Sequence, residues 1–557
     1  MDDAFRAEMT SGYTFDEPVV VLGSPLAGDE LLPEVRVSLP LSRVNRHGLI
    51  AGATGTGKTK TLQLMAGQLS AAGVPVFAVD VKGDLSGVGA PGDPANPAVA
   101  SRVAAMHLTY VPQGAPTEIL SLSGETGAHV RASVSSFGPL LLGKVLDLNE
   151  TQTSILALVF RYCDDQDLPL LDLEDLRTTL KFLGSDEGKP ILADLGGISP
   201  ASLGVILRAI VTIEQEGADV FFGEPEFDVD DLLRTTPDGK GIVTLLEVAD
   251  VMDRPRLYST FVLWMLAQLY EQLPEMGDLP KPRLAFFFDE AHLLFKDASD
   301  ALMEQIERTA RLIRSKGVGV YFVTQSPTDV PSSVLSQLGN RVQHALRAFT
   351  PDDADALRKA ARTFPITEHY DVERTLTSLG IGEAFVTVLN AKGVPTPLAA
   401  TRLVPPDSRM APLTAEEVAA LVAASPLAAK YNAEVDRESA HEIISGRLIN
   451  AKASAATAAA EAELRERVSP TTADGLGTMT PAQQKREIQK RARELEAARK
   501  AADRERRARE KEAAALARER ERTMRTTVST VGKVLNARGT QSILRGVFDT
   551  IFGGGKR

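Results

Sequence analysis

Hydrophobic positions along the chain follow two rhythms that alternate. Short continuous apolar runs, each bounded by glycine or a polar residue, occur at His47–Ala51, Val74–Val79, Gly241–Glu247, Arg283–Phe288, Gly319–Thr324, Arg341–Leu346 and Ala384–Leu389. Runs of this length without polar alternation read as strands buried on both faces. Between them, Leu62–Leu69, Arg256–Leu273 and Ala301–Ser315 carry apolar residues at helical spacing. Strand, helix, strand in this order predicts an α/β fold: a doubly wound, mostly parallel sheet with helices on both faces.

Three stretches depart from that alternation. Short β-like runs at Pro18–Leu22 and Val35–Leu39 form a strand-rich lead-in. Gln152–Tyr162, Leu173–Leu183 and Ser202–Glu214 are all of helical period, a helical insertion. Beyond about residue 405 the strand signal ends. Ala411–Ala429 reads as a helix, Ser469–Thr480 as a break, and Pro481–Arg525 as a charged helical tail without a heptad stripe. Val528, Val531, Leu535, Leu544, Val547, Phe548 and Ile551 then recur as one amphipathic face. The expected divisions are a lead-in (1–45), a first part of the core (46–140), the insertion (141–238), the rest of the core (239–405), a helical extension (406–465), a linker (466–480), a charged arm (481–527) and an amphipathic helix (528–557).

Composition narrows the class. With 557 residues, 43% of them hydrophobic and 24% charged, the chain can bury several cores without staples. Cys163 is its single cysteine, which excludes an internal disulfide and a cysteine-based zinc site. No uninterrupted run of about 18 apolar residues is present, and the acidic N-terminal segment does not read as a signal peptide, so a cytoplasmic protein without an integral membrane segment is expected. The net charge of −12 argues against nucleic-acid binding by the whole surface. It is unevenly spread: Lys485–Arg525 holds 16 Lys/Arg against 9 Asp/Glu, a local +7 that leaves −19 for the rest. A polyanionic partner such as DNA would have to be met locally.

The candidate chemistry sits at strand ends. Gly52-Ala53-Thr54-Gly55-Thr56-Gly57-Lys58-Thr59, followed by Lys60, matches G-x-x-x-x-G-K-[ST] between an apolar strand and a helix. Glycines let backbone N–H groups wrap phosphates, the helix start adds its positive dipole end, Lys58 reaches the β- and γ-phosphates and the Thr59 hydroxyl meets Mg²⁺. Such a loop implies ATP as ligand and an acid on a neighbouring strand. Leu284-Ala-Phe-Phe-Phe-Asp289-Glu290 supplies two, Asp289 for Mg²⁺ and Glu290 to activate water. Glu247 is a weaker alternative. Gln325, at the end of the Gly319–Thr324 strand, is placed to sense the γ-phosphate, and Asp80 with Asp84 to tune the metal or to solvate a loop. Asp289-Glu-Ala-His292 spells a DEAH box, but no second lobe of suitable length follows, and His292 reads as a helix-start residue. Without a facing lobe, the arginine that stabilises transition-state charge must come from another subunit. Arg46, Arg308, Arg311 and Arg314 are available, the last two being preferred, each competing with a plain surface role.

Together these segments resemble the HerA/FtsK group of P-loop ATPases, and more narrowly a bacterial HerA-like family. The matching residues are Arg46-His-Gly-Leu-Ile-Ala-Gly-Ala-Thr-Gly-Thr-Gly-Lys58-Thr59, Asp80-Val-Lys-Gly83-Asp84, Phe288-Asp-Glu-Ala-His292, Gly317-Val-Gly319…Thr324-Gln325 and Asn340-Arg341…Asp352-Asp353. The resemblance implies a RecA-like core, a hexameric ring and ATP hydrolysis. For the family's best known members it also implies DNA translocation through the pore. By position it gives Lys58 and Thr59 to phosphate and Mg²⁺, Asp289 and Glu290 to hydrolysis and Gln325 to sensing. The lead-in is shorter than the family's N-terminal barrel, which docks a partner nuclease. The expected function is a DNA-acting ring motor; the alternative is an ATP-dependent switch or assembly factor whose C-terminal helix docks on a protein. A pump at a secretion channel ranks last, for want of an anchor.

Overall fold

The computed structural model describes residues 3–468, apart from 195–197, 216, 253, 278 and 296–299. The charged arm and the amphipathic C-terminal helix expected from the sequence lie outside the described residues. The chain divides into two compact units, Met1–Ala451 and Lys452–Arg557. The fold and the site belong to the first. Of the second, the described part belongs to the helix Ala440–Val468.

A single sheet of 13 strands organises the first unit. In chain order these are β1 (Val19–Ala27), β2 (Glu30–Leu31), β3 (Val37–Pro40), β4 (Gly48–Ala51), β5 (Val76–Asp80), β6 (Thr117–Ser121), β7 (Ala128–His129), β8 (Val243–Glu247), β9 (Leu284–Phe288), β10 (Val318–Thr324), β11 (Asn340–His344), β12 (Glu383–Thr387) and β13 (Ala399–Leu403). Their spatial order is β2-β1-β13-β12-β11-β4-β10-β9-β5-β8-β6-β7, with β3 paired to β1. From β11 to β7 every neighbour is parallel. From β11 through β12 and β13 to β1 every pairing is antiparallel. The expected mostly parallel α/β sheet is present, and the helical insertion is there as Val134–Val145, Glu150–Asp165, Leu173–Leu183 and Pro200–Gln215.

The apolar runs lack alternation because each central strand is covered on both faces. In β9, Leu284, Phe286 and Phe288 enter one core with the insertion helices, while Ala285 and Phe287 enter another with the lead-in and the helix Lys58–Ala71. Successive strand side chains point to opposite faces, so five consecutive apolar residues serve two cores. Register reinforces this. Phe287 faces Tyr321 and Phe288 faces Phe322 on β10, with ring centroids 5.0 Å and 5.4 Å apart. Stacked cross-strand pairs of this kind contribute about 0.5–1.5 kcal/mol each beyond burial.

The lead-in is joined to the main sheet through the pairing of β1 with β13. It also contains a helix that the strand-rich reading missed, Asp3–Tyr13, which buries Phe5, Met9 and Tyr13 at four-residue spacing. Its apolar residues are few and its polar face is long, so the period is faint in the sequence.

Two neutral histidines are built into the core beneath the strand ends. His47 Nδ1 accepts the Val320 N–H at 3.0 Å, and His344 Nε2 lies 2.9 Å from Thr61 Oγ1. Burial pushes the pKa of each down to about 4. Against an unfolded value of about 6.5, each contributes stability that is complete above pH 6.5 and lost as pH falls towards 4, at about 1.4 kcal/mol per unit, or about 3 kcal/mol per histidine. Urea titrations should therefore show stability falling between pH 6.5 and 4.5. His47→Asn and His344→Gln, which keep the amide where the ring nitrogen was, should flatten that slope; an unchanged slope in both would show that the histidines do not set it.

Candidate nucleotide site

The loop between β4 and the helix Lys58–Ala71 owes its shape to its glycines. Gly52, Gly55 and Gly57 have φ of 156°, 77° and 118°, in the region that favours glycine. A Cβ on Gly52 would lie 2.4 Å from the His344 Cβ. The loop is pinned to both neighbouring strands: Gly52 N donates to Thr324 O at 3.2 Å and Ala53 N to Ala345 O at 2.8 Å. Thr56 Oγ1 donates to Ala53 O at 2.7 Å. Thr54 and Gly55 form its exposed tip. Gly57, the N-cap, gives the helix no side-chain cap, so first-turn N–H groups are left for an anion. Lys58 folds back, its Nζ donating to Gly52 O at 2.8 Å and Ala53 O at 3.3 Å. Burial lowers its pKa, opposed by the charges of Glu290 and Asp289. Thr59 and Lys60 complete the first turn, and Lys60 Nζ donates to Met410 O.

Asp289 and Glu290 leave β9, two strands away from β4, and Gln325 leaves β10 between them. Asp289 is 7% exposed, and its Oδ2 is buried without a hydrogen-bond partner. Burial, and then the charge of Glu290, pushes its carboxyl up to about 7. Glu290 holds a left-handed φ of 46°, uncommon for a non-glycine residue. Its carboxylate receives Lys82 Nζ as an ion pair, Gln325 Nε2 at 3.5 Å and lies 3.3 Å from His292 Nδ1. Burial alone would raise its pKa, but the hydrogen bond and charge of Lys82 outweigh it and hold the group below the usual carboxylate range.

Beside this pair lies the end of β5. Asp80 is a backbone staple: Oδ1 accepts the N–H groups of Lys82, Gly83 and Asp84 at 3.2, 2.8 and 3.2 Å, and Oδ2 accepts Leu85 N at 2.8 Å. Carboxylate oxygens of Asp80, Asp84 and Asp289 all lie within 4.8 Å of one another. Asp84 Oδ1 and Asp289 Oδ2 are both buried without a partner. Two carboxyl groups of one cluster, each with a buried unpartnered oxygen, fit a divalent cation, and the Asp80 carboxylate, saturated by backbone, serves mainly to shape the loop. Glu247, at the end of β8, is pushed up to about 8 by burial and then by the charge of Asp80.

The structure thus gathers the phosphate loop, Asp289, Glu290 and Gln325 along adjacent strand ends. It does not bring Arg311 and Arg314 there. Both are exposed, and they sit just before β10 begins, about 20 Å of strand away from Gln325. Two features escaped sequence reasoning. One is Lys82, whose contact with Glu290 could have been suspected only from its place beside Asp80 at a strand end. The other is a cavity of about 260 Å³ next to the phosphate loop, lined by Gly57, Lys60, Leu64, Val99, Leu403 and Met410. Arg102 at its edge is occupied by backbone, donating to Gly382 O, Leu403 O and Ile381 O at 2.9, 3.1 and 3.1 Å.

Residues 29–557 match the family described as Helicase HerA-like C-terminal. The chain belongs to this HerA-like family. The DNA double-strand break repair helicase HerA of Sulfolobus acidocaldarius is 22% identical over 363 residues, covering 65% of this chain. The chain spans 66% of the length of that relative. Among solved structures, the bacterial conjugative coupling protein TrwBdeltaN70 aligns with a TM-score of 0.47 and 14% identity, over 72% of this HerA-like chain and 93% of its own. VirB4 of Thermoanaerobacter pseudethanolicus aligns with a TM-score of 0.43 and 14% identity, over 70% and 98%.

Proposed function

We propose that this HerA-like chain hydrolyses ATP to ADP and phosphate with Mg²⁺, and that it works as a homo-oligomeric ring coupling hydrolysis to movement along DNA. The observation that carries the ATPase reading is the meeting of three strand ends: the Lys58 loop on β4, Gln325 on β10 and the Asp289–Glu290 pair on β9. Loop N–H groups and Lys58 receive the β- and γ-phosphates, Lys58 leaving its own carbonyls to do so. Thr59, Asp289 and Asp84 are the residues that would hold Mg²⁺, which when bound neutralises charge developing on the phosphate oxygens. Glu290 takes a proton from the attacking water and Gln325 holds that water in line. Water oxygen bonds to the γ-phosphorus as the bond to the β–γ bridging oxygen breaks, and ADP leaves.

The cavity beside Gly57 and Lys60 continues from the phosphate loop and has the apolar walls a nucleobase needs. Met410→Trp, which adds bulk to its wall, should weaken ATP binding by about tenfold, or about 1.4 kcal/mol, while leaving tripolyphosphate binding unchanged. Equal loss for both would place the base elsewhere.

DNA coupling rests on family membership and is tested by turnover with and without duplex DNA across a salt series. Stimulation that fades steeply with salt supports the motor. Turnover indifferent to DNA, with no mobility shift, would favour the protein-directed switch, a reading consistent with the net charge of −12. No helix among the described residues is long and apolar enough to cross a membrane.

A further inference from the structure

Lys82 occupies Glu290 in a way that the hydrolytic reading does not require. Its backbone is fixed: it follows β5 in the turn whose four N–H groups are collected by Asp80, and β5 is hydrogen-bonded directly to β9, with Val79 opposite Phe288. Its side chain is different. The Lys82 side chain is 49% exposed, whereas the Glu290 side chain it pairs with is 6% exposed. A flexible cation on a rigid stem therefore lies across a buried carboxylate from the open side of the site.

Glu290 is the buried member of the pair, on a backbone that is tied down. That backbone is held on both sides, Ala291 N donating to Val323 O at 2.8 Å and Leu293 N to Glu290 O at 2.9 Å. The movable part of the pair is the lysine. While it donates to Glu290 Oε1, the lysine occupies a carboxylate oxygen that would otherwise be open to the attacking water. Lys58 is parked in a similar way on the carbonyls of its own loop.

On the ATPase reading of the site, a γ-phosphate enters between Lys58 and the Asp289–Glu290 pair. Its oxygens present more negative charge than one carboxylate and lie on the open side from which Lys82 reaches in. We propose that Lys82 is a γ-phosphate sensor: it covers Glu290 when the site holds no triphosphate, and swings to the terminal phosphate when one arrives, unmasking the base at the moment it is needed. With ADP there is no terminal phosphate to draw it away, and the ion pair with Glu290 persists.

The proposal rests on the ATPase reading and is tested so that the two can fail separately. Full-length wild type, Lys82→Met and Lys82→Arg are titrated calorimetrically, in Mg²⁺, with ADP and with the non-hydrolysable imido analogue of ATP. Methionine keeps the apolar stem of a half-exposed residue but leaves the buried Glu290 carboxylate without its cation, so the thermal midpoint is measured alongside, and a general loss of stability would weaken both nucleotides alike. The expected result is a loss of roughly ten- to a hundredfold in affinity for the ATP analogue in Lys82→Met, with ADP affinity held within about twofold and the triphosphate preference restored in Lys82→Arg. A purely structural ion pair would affect both nucleotides alike. Equal losses for the two nucleotides, or no loss for either, in a wild type that prefers the triphosphate would overturn the sensor and leave the ATPase reading standing. A wild type that binds neither nucleotide would overturn both.

Discussion

Glu290→Gln protein should bind ATP and Mg²⁺ as wild type does, yet release phosphate roughly a thousandfold more slowly. The substitution is close to isosteric. A glutamine oxygen can still accept the Lys82 ammonium, and Gln325 can still approach it, so the contacts around the residue survive. What disappears is the ability to take a proton, a contribution typically of 10²–10⁴ in rate. Removing the Glu290 charge also removes one of the three causes that raise the Asp289 carboxyl to about 7, burial and the charge of Asp80 being the others, so Asp289 becomes easier to ionise and the metal-holding side of the site is favoured. Lys58→Ala is the complementary case: with no ammonium to meet the β- and γ-phosphates, it should lose triphosphate binding itself. Phosphate release and bound-nucleotide stoichiometry, measured on the same preparations, separate the two. Turnover of Glu290→Gln within about threefold of wild type would remove Glu290 from the role of base.

Adjacent in sequence, Asp289 and Glu290 are pushed in opposite directions. Asp289 is buried against a second carboxylate and rises; Glu290 meets Lys82 and falls. Divergent environments for paired carboxylates are how one site separates a metal-holding group from a base. The primary structure puts the two side by side but cannot state which cation each will meet.

That distinction explains what was legible in the sequence. The phosphate loop and the Leu284–Glu290 strand are contiguous, so composition and spacing alone carry them: glycine at 52, 55 and 57 for left-handed turns, five apolar residues for two cores. The gathering of β4, β10 and β9 follows from the pattern of parallel crossovers. The antiparallel wing is another matter. Gly23 pairs with Leu403, and Val386 with Ala399; the first pairing joins opposite ends of the first unit, and no local pattern announces it. Lys82 is of the same kind, meeting Glu290 across 208 positions of chain. Lysine after a strand reads as solvated surface until the partner strand is known.

The same reasoning bears on the arginine expected to act in trans. Within one chain, Arg311 and Arg314 lie before β10 and are exposed, while Gln325 and the tip of the phosphate loop are exposed at the far end of the sheet. A head-to-tail ring would set the helix end of one copy against the phosphate end of the next, which is the arrangement that lets an arginine act in trans. Such a residue is worth about 10³–10⁵ in rate, so Arg311→Ala or Arg314→Ala, whichever removes the operative group, should be almost as inactive as Lys58→Ala while still binding ATP. Mixing decides the matter. The arginine variant retains an intact phosphate loop and the Lys58→Ala protein retains an intact arginine, so in randomly mixed rings roughly a quarter of the interfaces combine the two working halves. Equimolar mixing of two inactive proteins should then restore turnover to about that fraction of wild type, and dilution below the assembly concentration should abolish it. If neither the Arg311→Ala nor the Arg314→Ala mixture recovers activity, the charge that completes the site comes from another residue, and Arg46 and Arg308 are the next to be substituted.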